Sequence, residues 1–549
     1  MTQITILRPP VAWYKARVPD LARPATPPIG GPYARYVLVI LTVVYVFNFI
    51  DRQILSILAP EIQRDLGVSD ADISFLYGTA FAVFYAVFGI PLGRLADVWT
   101  RRSLIAIGLA VWSGMTALSG TARSFASLAV YRIGVGIGEA SASPAAFSLL
   151  GDWFAPRMRG FALAVYSSGV YIGAGIGIFL GGWIVEGWQL LYPQGGAPFG
   201  LAGWQVAFFA VGLPGLGMAL WVRSLAEPRR GQSEGLPEAA PHAQPFREFG
   251  RELAAVLPPL TWLSLLRAGA GARGVAVNLA GAAGIALAAA ALALLTGSSA
   301  QWSALGLGVY CAFSWAQGLR LRDPVAFALI FRCRALLLLS VGFASIAFVT
   351  YGAGFWGPSF FVRVHGVSEG EVGTVVGLSA AVGGWLGVSL GGALSDRLKL
   401  MSPNGRLWVG WLTAALSLPS GLWLLHTDSL PLAYVLNFVF AFVSPLWLGA
   451  GASAVNELVL PRLRAIASAF YILLITFIGL SLGPYTMGKL SDAFAAGGAD
   501  PGEALRAGMS WGLVMFVVSA VALGLAARFL PREEASRLER ARAAGEVLA

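Results

Sequence analysis

The chain has 549 residues, of which 57% are hydrophobic and only 12% charged, with a formal net charge of +10. Soluble domains are typically about 25% charged, so this chain is solvated mainly by lipid. The positive balance does not point to nucleic acid, because Lys and Arg fall in short segments between apolar blocks, as membrane flanks do, and the two cysteines, Cys311 and Cys333, make neither a disulfide framework nor a metal-ligand pattern.

Residues 1–35 carry several prolines and the basic residues Arg8, Lys15, Arg17, Arg23 and Arg35, but no apolar core of the signal-peptide kind, and read as a tail. A membrane span takes about 20 predominantly apolar residues. Twelve segments satisfy this, starting near 36, 71, 102, 126, 158 and 203, then near 333, 370, 405, 430, 463 and 508. They predict an all-α integral membrane protein with one six-helix bundle over 36–226, a second over 333–530 and a tail over 531–549. Basic residues cluster after every second span, at Arg94, Arg101 and Arg102, at Arg157 and Arg159, at Arg223, Arg229 and Arg230, and correspondingly in the second group. Both termini are therefore expected on the cytoplasmic side.

Between the bundles, 227–332 begins as a polar, Pro-rich linker and then holds two Ala- and Gly-rich apolar blocks, about 274–297 and 301–318. Arg267 and Arg273 precede the pair and Arg320, Arg322, Arg332 and Arg334 follow it, a pattern that predicts an extra transmembrane hairpin. Helices lying on the membrane surface are the alternative. The halves also echo each other: Gly93-Arg94-Leu95-Ala96-Asp97 follows the second span and Gly392-Ala393-Leu394-Ser395-Asp396 the eighth. Parallel repeated halves are a feature of alternating-access carriers. Gly488-Lys489-Leu490-Ser491-Asp492 fits the same pentapeptide on the predicted external side, so position within the half gives the echo its weight.

Ionisable groups inside spans cost about 2.5–3.5 kcal/mol at mid-helix and so mark functional pathways. Asp51 and Arg52 lie in the first span and Arg132 and Glu139 in the fourth. Arg132 and Glu139 are two turns apart on nearly one face, roughly 10 Å along the axis, and line one cavity without touching. His242, His365 and His426 fall outside the spans, leaving Asp51 and Glu139 as the candidate proton carriers, with Asp51 alternately gaining and losing Arg132 as partner. Arg52 and Arg132 are the candidate ligands for an anionic head group. Tyr166, Tyr171, Tyr351 and Phe355 are candidates for an apolar cavity wall, although such aromatics are more often plain core. A static charge network is the plainer reading of Asp51, Arg132 and Glu139.

At the first cytoplasmic loop, Gly93, Arg94, Asp97, Arg101 and Arg102 are candidate gate residues, with Asp152 as an acidic partner and Asp396, Arg397 and Glu457 as the counterpart in the second half. Gly483 to Lys489 mimics a phosphate loop, but Leu490 stands where Ser or Thr is required, and Gly134, Gly136 and Gly138 lack the strand of a dinucleotide loop. No nucleotide-hydrolysing or nucleophile constellation remains, so an enzyme is not expected and no cofactor or metal is implied.

The loop Gly93 to Arg102 resembles the cytoplasmic gate motif of the major facilitator superfamily, and Gly173, Gly175, Gly177, Gly181 and Gly182 resemble its Gly-rich packing helix. Asn48-Phe49-Ile50-Asp51-Arg52, Tyr131 to Ser141 and Phe361 to Gly366 are similar to the Spinster family of lipid and organic-anion carriers. The resemblance implies a secondary transporter of an amphipathic anion, such as a lysophospholipid or sphingoid phosphate, working by alternating access and coupled to protons. It implies a monomer in the inner (plasma) membrane of a bacterium, with substrate, protons and membrane lipids as partners and no nucleic acid. A facilitative uniporter, or a non-transporting receptor or scaffold using the insertion, are the alternatives.

Overall fold

The computed structural model describes residues 28–193, 196–234 and 244–546. Arg8, Lys15, Arg17, Arg23 and His242 lie outside them. The first half comprises α1 (Pro32–Leu66), α2 (Asp70–Val98), α3 (Arg101–Ser119), α4 (Phe125–Trp153), α5 (Pro156–Leu191) and α6 (Gly203–Ser224). An insertion follows with α7 (Pro245–Val256), α8 (Leu260–Arg267), α9 (Gly271–Thr296), α10 (Ser299–Arg322) and α11 (Pro324–Phe331). The second half comprises α12 (Arg334–His365), α13 (Glu369–Met401), α14 (Gly405–His426), α15 (Leu430–Glu457), α16 (Pro461–Ala496) and α17 (Pro501–Ala535), with a short α18 (Arg537–Ala543) behind it. Helix α17 runs past the expected end at 530, and α18 does not float as a solvated tail: Arg537 and Arg540 donate to the carbonyls of Glu457 and Leu458.

Among the described residues, 13 helices are long and apolar enough to cross a membrane. The insertion contributes α9 to that set but not α10, because α10 carries Gln301, Ser303, Ser314 and Gln317. Gln301, Ser314 and Gln317 face protein, and Ser303 is exposed. Asn278 of α9 accepts from Trp262 of α8 and Tyr310 of α10 and donates to Ser314 and Gln317, joining three helices through one amide.

Local sequence sets the ends of matching helices alike. Helix α1 closes on Gly67 in the left-handed region and α12 on Gly366, where a glycine carries no Cβ penalty. Each is followed by a serine N-cap, with Ser69 accepting from the Asp72 amide and Ser368 from that of Glu371. Gly67-Val68-Ser69-Asp70 and Gly366-Val367-Ser368-Glu369 are thus a second echo of the two halves.

Helix α5 has two glycine faces. Gly169, Gly173, Gly177 and Gly181, four residues apart, lie against α1, and Gly175 and Gly182 lie against Gly377 and Glu369 of α13. Small residues at this spacing let helix backbones touch where no hydrophobic driving force exists. Gly173→Ala would push a Cβ into the Val46 carbonyl; overpacking of this kind costs about 1–3 kcal/mol. A lowered thermal midpoint in detergent is the expected result, with Gly160→Ala, which meets open space, as the silent control.

Every direct hydrogen bond or ion pair between the halves lies from mid-depth to the face formed by the α1–α2 and α12–α13 turns. Asp70 takes a bidentate pair from Arg363 at 2.8 and 2.9 Å, Arg363 also donates to Gln63, and Asp492 accepts from the amides of Asp70 and Ala71. Ser491 donates to Asp70, Trp183 to Thr374 and Gln53 to the Gly354 carbonyl, and Tyr77 stacks on Phe355 at 4.4 Å. Toward the opposite, basic face, where the gate loop lies, no direct hydrogen bond or ion pair joins the halves among the described residues. Helix segments of the two halves also barely pack against each other on that side, so a cleft opens there. Its apex is flanked by two wide-turned π segments, Ser379–Gly383 in α13 and Ile475–Ser481 in α16, which meet Gly175 and Gly78 of the first half. Such segments concentrate at functional sites.

Candidate coupling and substrate site

The four charged span residues are all buried and lie just on the cleft side of the closure. Helix α4 turns at Ala140, ending its first segment on Glu139, and this carboxylate accepts from Arg52 at 2.6 Å. The Arg52 guanidinium also lies over the rings of Phe81 (4.3 Å), Phe49 (4.7 Å) and Tyr85 (5.4 Å). Cation–π contact strengthens when the cation is desolvated, so three aromatics and one carboxylate hold Arg52 in place.

Asp51 and Arg132 do not pair as expected. Arg132 donates to main-chain carbonyls, those of Asp51 at 3.2 Å and Leu76 at 3.3 Å, and Asp51 turns its side chain toward Trp112 and Thr116 of α3. The reason is helical geometry: neighbours on α1 point about 100° apart, so with Arg52 on Glu139, Asp51 faces the bundle interior. Among the described residues no ion pair reaches Asp51, whose only polar neighbours on α3 are Trp112 and Thr116, whereas Glu139 is ion-paired with Arg52.

The four aromatic candidates separate. Tyr351 is half-buried. Tyr166 is sealed, stacked on Tyr45 at 4.4 Å, and Phe355 is sealed under Tyr77. Neither is an open wall in this conformation: the Tyr166 ring packs inside the first half against α1, and the Phe355 ring closes across the two halves on Tyr77. Tyr171 packs on Gly384 of α13. The sequence reading missed Phe49 of α1 and Phe81 and Tyr85 of α2, whose rings surround Arg52 but carry no charge to mark them. It also missed Gln53, Asp70, Arg363 and Asp492.

At the basic face, buried Arg101 pairs with Asp152, as expected, and also with Glu227 of the linker at 2.8 Å. Arg102 donates to the Leu225 carbonyl and its amide to Glu227. Gly93 approaches Pro144. Asp97 is exposed, with only Arg94 at 3.9 Å. In the second half Asp396 pairs with Arg406 rather than Arg397, which is exposed; Arg406 reaches Glu457 as well, at 2.7 Å. The neighbouring side chain on α13 points outward, while Arg406 at the start of α14 faces both acids. Each of these pairs stays within its own half or its linker. Phosphate-loop and dinucleotide-loop look-alikes resolve into packing: Gly483 meets the Phe348 carbonyl and Gly136 that of Phe81.

Cys333, ahead of α12, donates its thiol to Glu533 at 3.0 Å, and burial together with this acid pushes the thiol up to about 12. It stays protonated near neutrality, and the thiolate is the nucleophile. Cys311 is likewise buried. Maleimide labelling of the folded protein at neutral pH is expected to be near zero and to reach two thiols only on unfolding.

Two helical bundles with buried charges at the apex of a one-sided cleft are the architecture of a multi-pass membrane transporter of small molecules. Residues 41–484 match the model of the Major Facilitator Superfamily, to which the chain belongs. It is 27% identical to an MFS-type efflux pump of Mycolicibacterium smegmatis over 84% of this chain and 86% of that one. It is 25% identical to human protein spinster homolog 1 over 83% of this chain and 72% of that one. A crystal structure of a bacterial homolog to the human lysosomal transporter Spinster, inward-facing and occupied, superposes with a TM-score of 0.67 at 26% identity, covering 92% of this chain and 98% of that one.

Proposed function

We propose that the chain is a proton-coupled secondary transporter of an amphipathic organic anion, of lysophospholipid or sphingoid-phosphate type, with the basic face toward the cytoplasm of a bacterial cell. In this reading the two halves are the domains of a monomer, and the conformation described is inward-open. The observation that carries it is the asymmetry of the two buried carboxyls: Glu139 is ion-paired with Arg52 while adjacent Asp51 faces only the neutral Trp112 and Thr116 and has no ion pair among the described residues. Protonating Glu139 breaks an ion pair; protonating Asp51 breaks none. Asp51 is the proton carrier, and the donors on Arg52 and Arg132 receive the anionic head, for which guanidinium groups are suited. Tyr351, Tyr85 and, once the far face opens, Phe355 supply apolar surface for the tail. When the cytoplasmic side closes, exposed Asp97 and Asp396 become free to dock onto the opposing half.

Purified protein in liposomes tests this. Labelled lysophosphatidylglycerol and lysophosphatidylcholine are offered with and without an imposed pH gradient. Gradient-driven accumulation of the anionic lipid supports the reading, and its absence from both lipids and from a panel of water-soluble organic anions overturns it.

A further inference from the structure

When two six-helix bundles part on one side only, the cleft also opens sideways along two seams, here between α2 and α16 and between α5 and α13. The insertion lies across the first and attaches to each half separately. On the first half, the linker docks through Glu227 on Arg101 and through Arg230 on the carbonyls of Ala96 and Trp99. Phe246 at the start of α7 packs its ring, tilted, on Trp99 at 5.1 Å. On the second half, Asp323 pairs with Arg462 at 2.8 Å and Phe331 packs on Phe470 at 5.0 Å.

Between these anchors the seam is filled. Val83 and Val87 of α2, Val256 of α7, Leu305 and Cys311 of α10 and Phe477 of α16 form one buried cluster. Gly308 allows α10 to approach Phe477 and Val83 closely. Nearer the far face, Gln301 accepts from Thr79, whose hydroxyl also meets that of Ser481 at 2.6 Å, so three segments share one polar joint. The lipid side of the insertion is α9, whose most apolar window has no buried residue.

The second seam has no such cover. Helices α5 and α13 are zipped by glycines down to Tyr171 on Gly384. Below that point Gly387 and Gly391 of α13 turn to α15, and apart from the Trp183–Thr374 bond nearer the far face no hydrogen bond or ion pair joins α5 to α13 among the described residues. The apolar side chains there, Phe161, Trp385 and Leu390, are exposed by 65%, 48% and 51%.

We infer that the insertion is a side wall that seals the α2–α16 seam from the bilayer and leaves the α5–α13 seam as the lateral portal through which an acyl chain passes between the inner leaflet and the cleft. The passage of substrate through that portal rests on the amphipathic-anion reading; the wall does not. An acyl tail enters at an apolar mouth while its head group stays in the polar cleft, so it need never cross water. A second open seam would instead flood the cleft with bulk lipid.

The test is photolabelling in nanodiscs containing a phosphatidylglycerol with a diazirine on its acyl chain, followed by peptide mass spectrometry. In the full chain, adducts are expected at Trp385 and Leu390 and not at Val83, Val87 or Phe477. Replacing 245–331 by a Gly-Ser linker, or the milder Gly308→Leu, which pushes α10 off Phe477 and Val83, should bring adducts onto those three residues, rising at least several-fold. Labelling of Val83 and Phe477 in the full chain at the level of Leu390, or no change in either variant, would overturn the wall. A diazirine lysolipid added separately tests the passenger: labelling near Trp385, Leu390 and Tyr351 supports passage through the portal. If the bilayer-lipid pattern holds but the lysolipid labels none of them, the wall stands and the amphipathic reading falls.

Discussion

Asp51→Asn is expected to abolish accumulation of substrate driven by a pH gradient while leaving counterflow exchange within about twofold of wild type. One proton moving with one monoanion makes each pH unit worth about 1.4 kcal/mol, or tenfold accumulation; the variant should hold the ratio at one whatever the gradient. Asn keeps the volume and removes the titrating oxygen. It also keeps a polar amide beside the Thr116 hydroxyl and the Trp112 ring, so folding should survive. Glu139→Gln removes the partner of Arg52 instead, and breaking a buried pair costs about 3–5 kcal/mol. That variant should lose stability and both modes of transport together. Retained gradient-driven accumulation in Asp51→Asn would sink the assignment, and a loss of both modes there would place Asp51 in the binding site.

Arg363→Met should open the far face. Its guanidinium makes two bonds to Asp70 and one to Gln63, across the halves and largely buried. Hydrogen bonds to charged groups contribute about 1.5–3 kcal/mol each in net terms. Partial exposure and the freed Asp70 reduce the change in the equilibrium between closed and open far faces to about 2 kcal/mol, roughly thirtyfold. Spin labels placed on the α1–α2 and α12–α13 turns report it as a second, longer distance population that is minor in wild type. Native thiols will not interfere, for the reason given for Cys333. Asp492→Asn should shift the equilibrium less, because its amide oxygen still accepts from one of the two α2 amides that Asp492 caps. An unchanged distance distribution in Arg363→Met would show that the glycine seam of α5 and α13, and not this ion pair, holds the face shut.

Much of this was legible in one dimension for a plain reason. Lipid imposes its own period, so apolar runs of span length and flanking arginines locate α1, α2, α12 and α13 to within a few residues, and any charge inside a run is conspicuous. That is why Asp51, Arg52, Arg132 and Glu139 stand out. The far-face latch was hidden for the opposite reason: Asp70, Arg363 and Asp492 sit at helix ends, where charges are ordinary. Its one visible trace was the third copy of the Gly-x-Leu-Ala/Ser-Asp pentapeptide, ending at Asp492. The repeat Gly-Val-Ser-Asp and Gly-Val-Ser-Glu was equally readable, since a left-handed glycine before a serine cap is a helix boundary wherever it occurs.

By itself the sequence determined that this is a two-bundle membrane carrier with four candidate groups in its first half, because hydropathy, charge placement and burial cost are properties of single segments. Only the tertiary structure decided who pairs with whom. Arg52 takes Glu139 and leaves Asp51 alone because adjacent residues on one helix cannot face the same partner. Asp396 takes Arg406 because the adjacent Arg397 points outward. The insertion becomes a wall and not a bare hairpin because α10 buries Leu305, Gly308 and Cys311 against two halves that meet only in three dimensions.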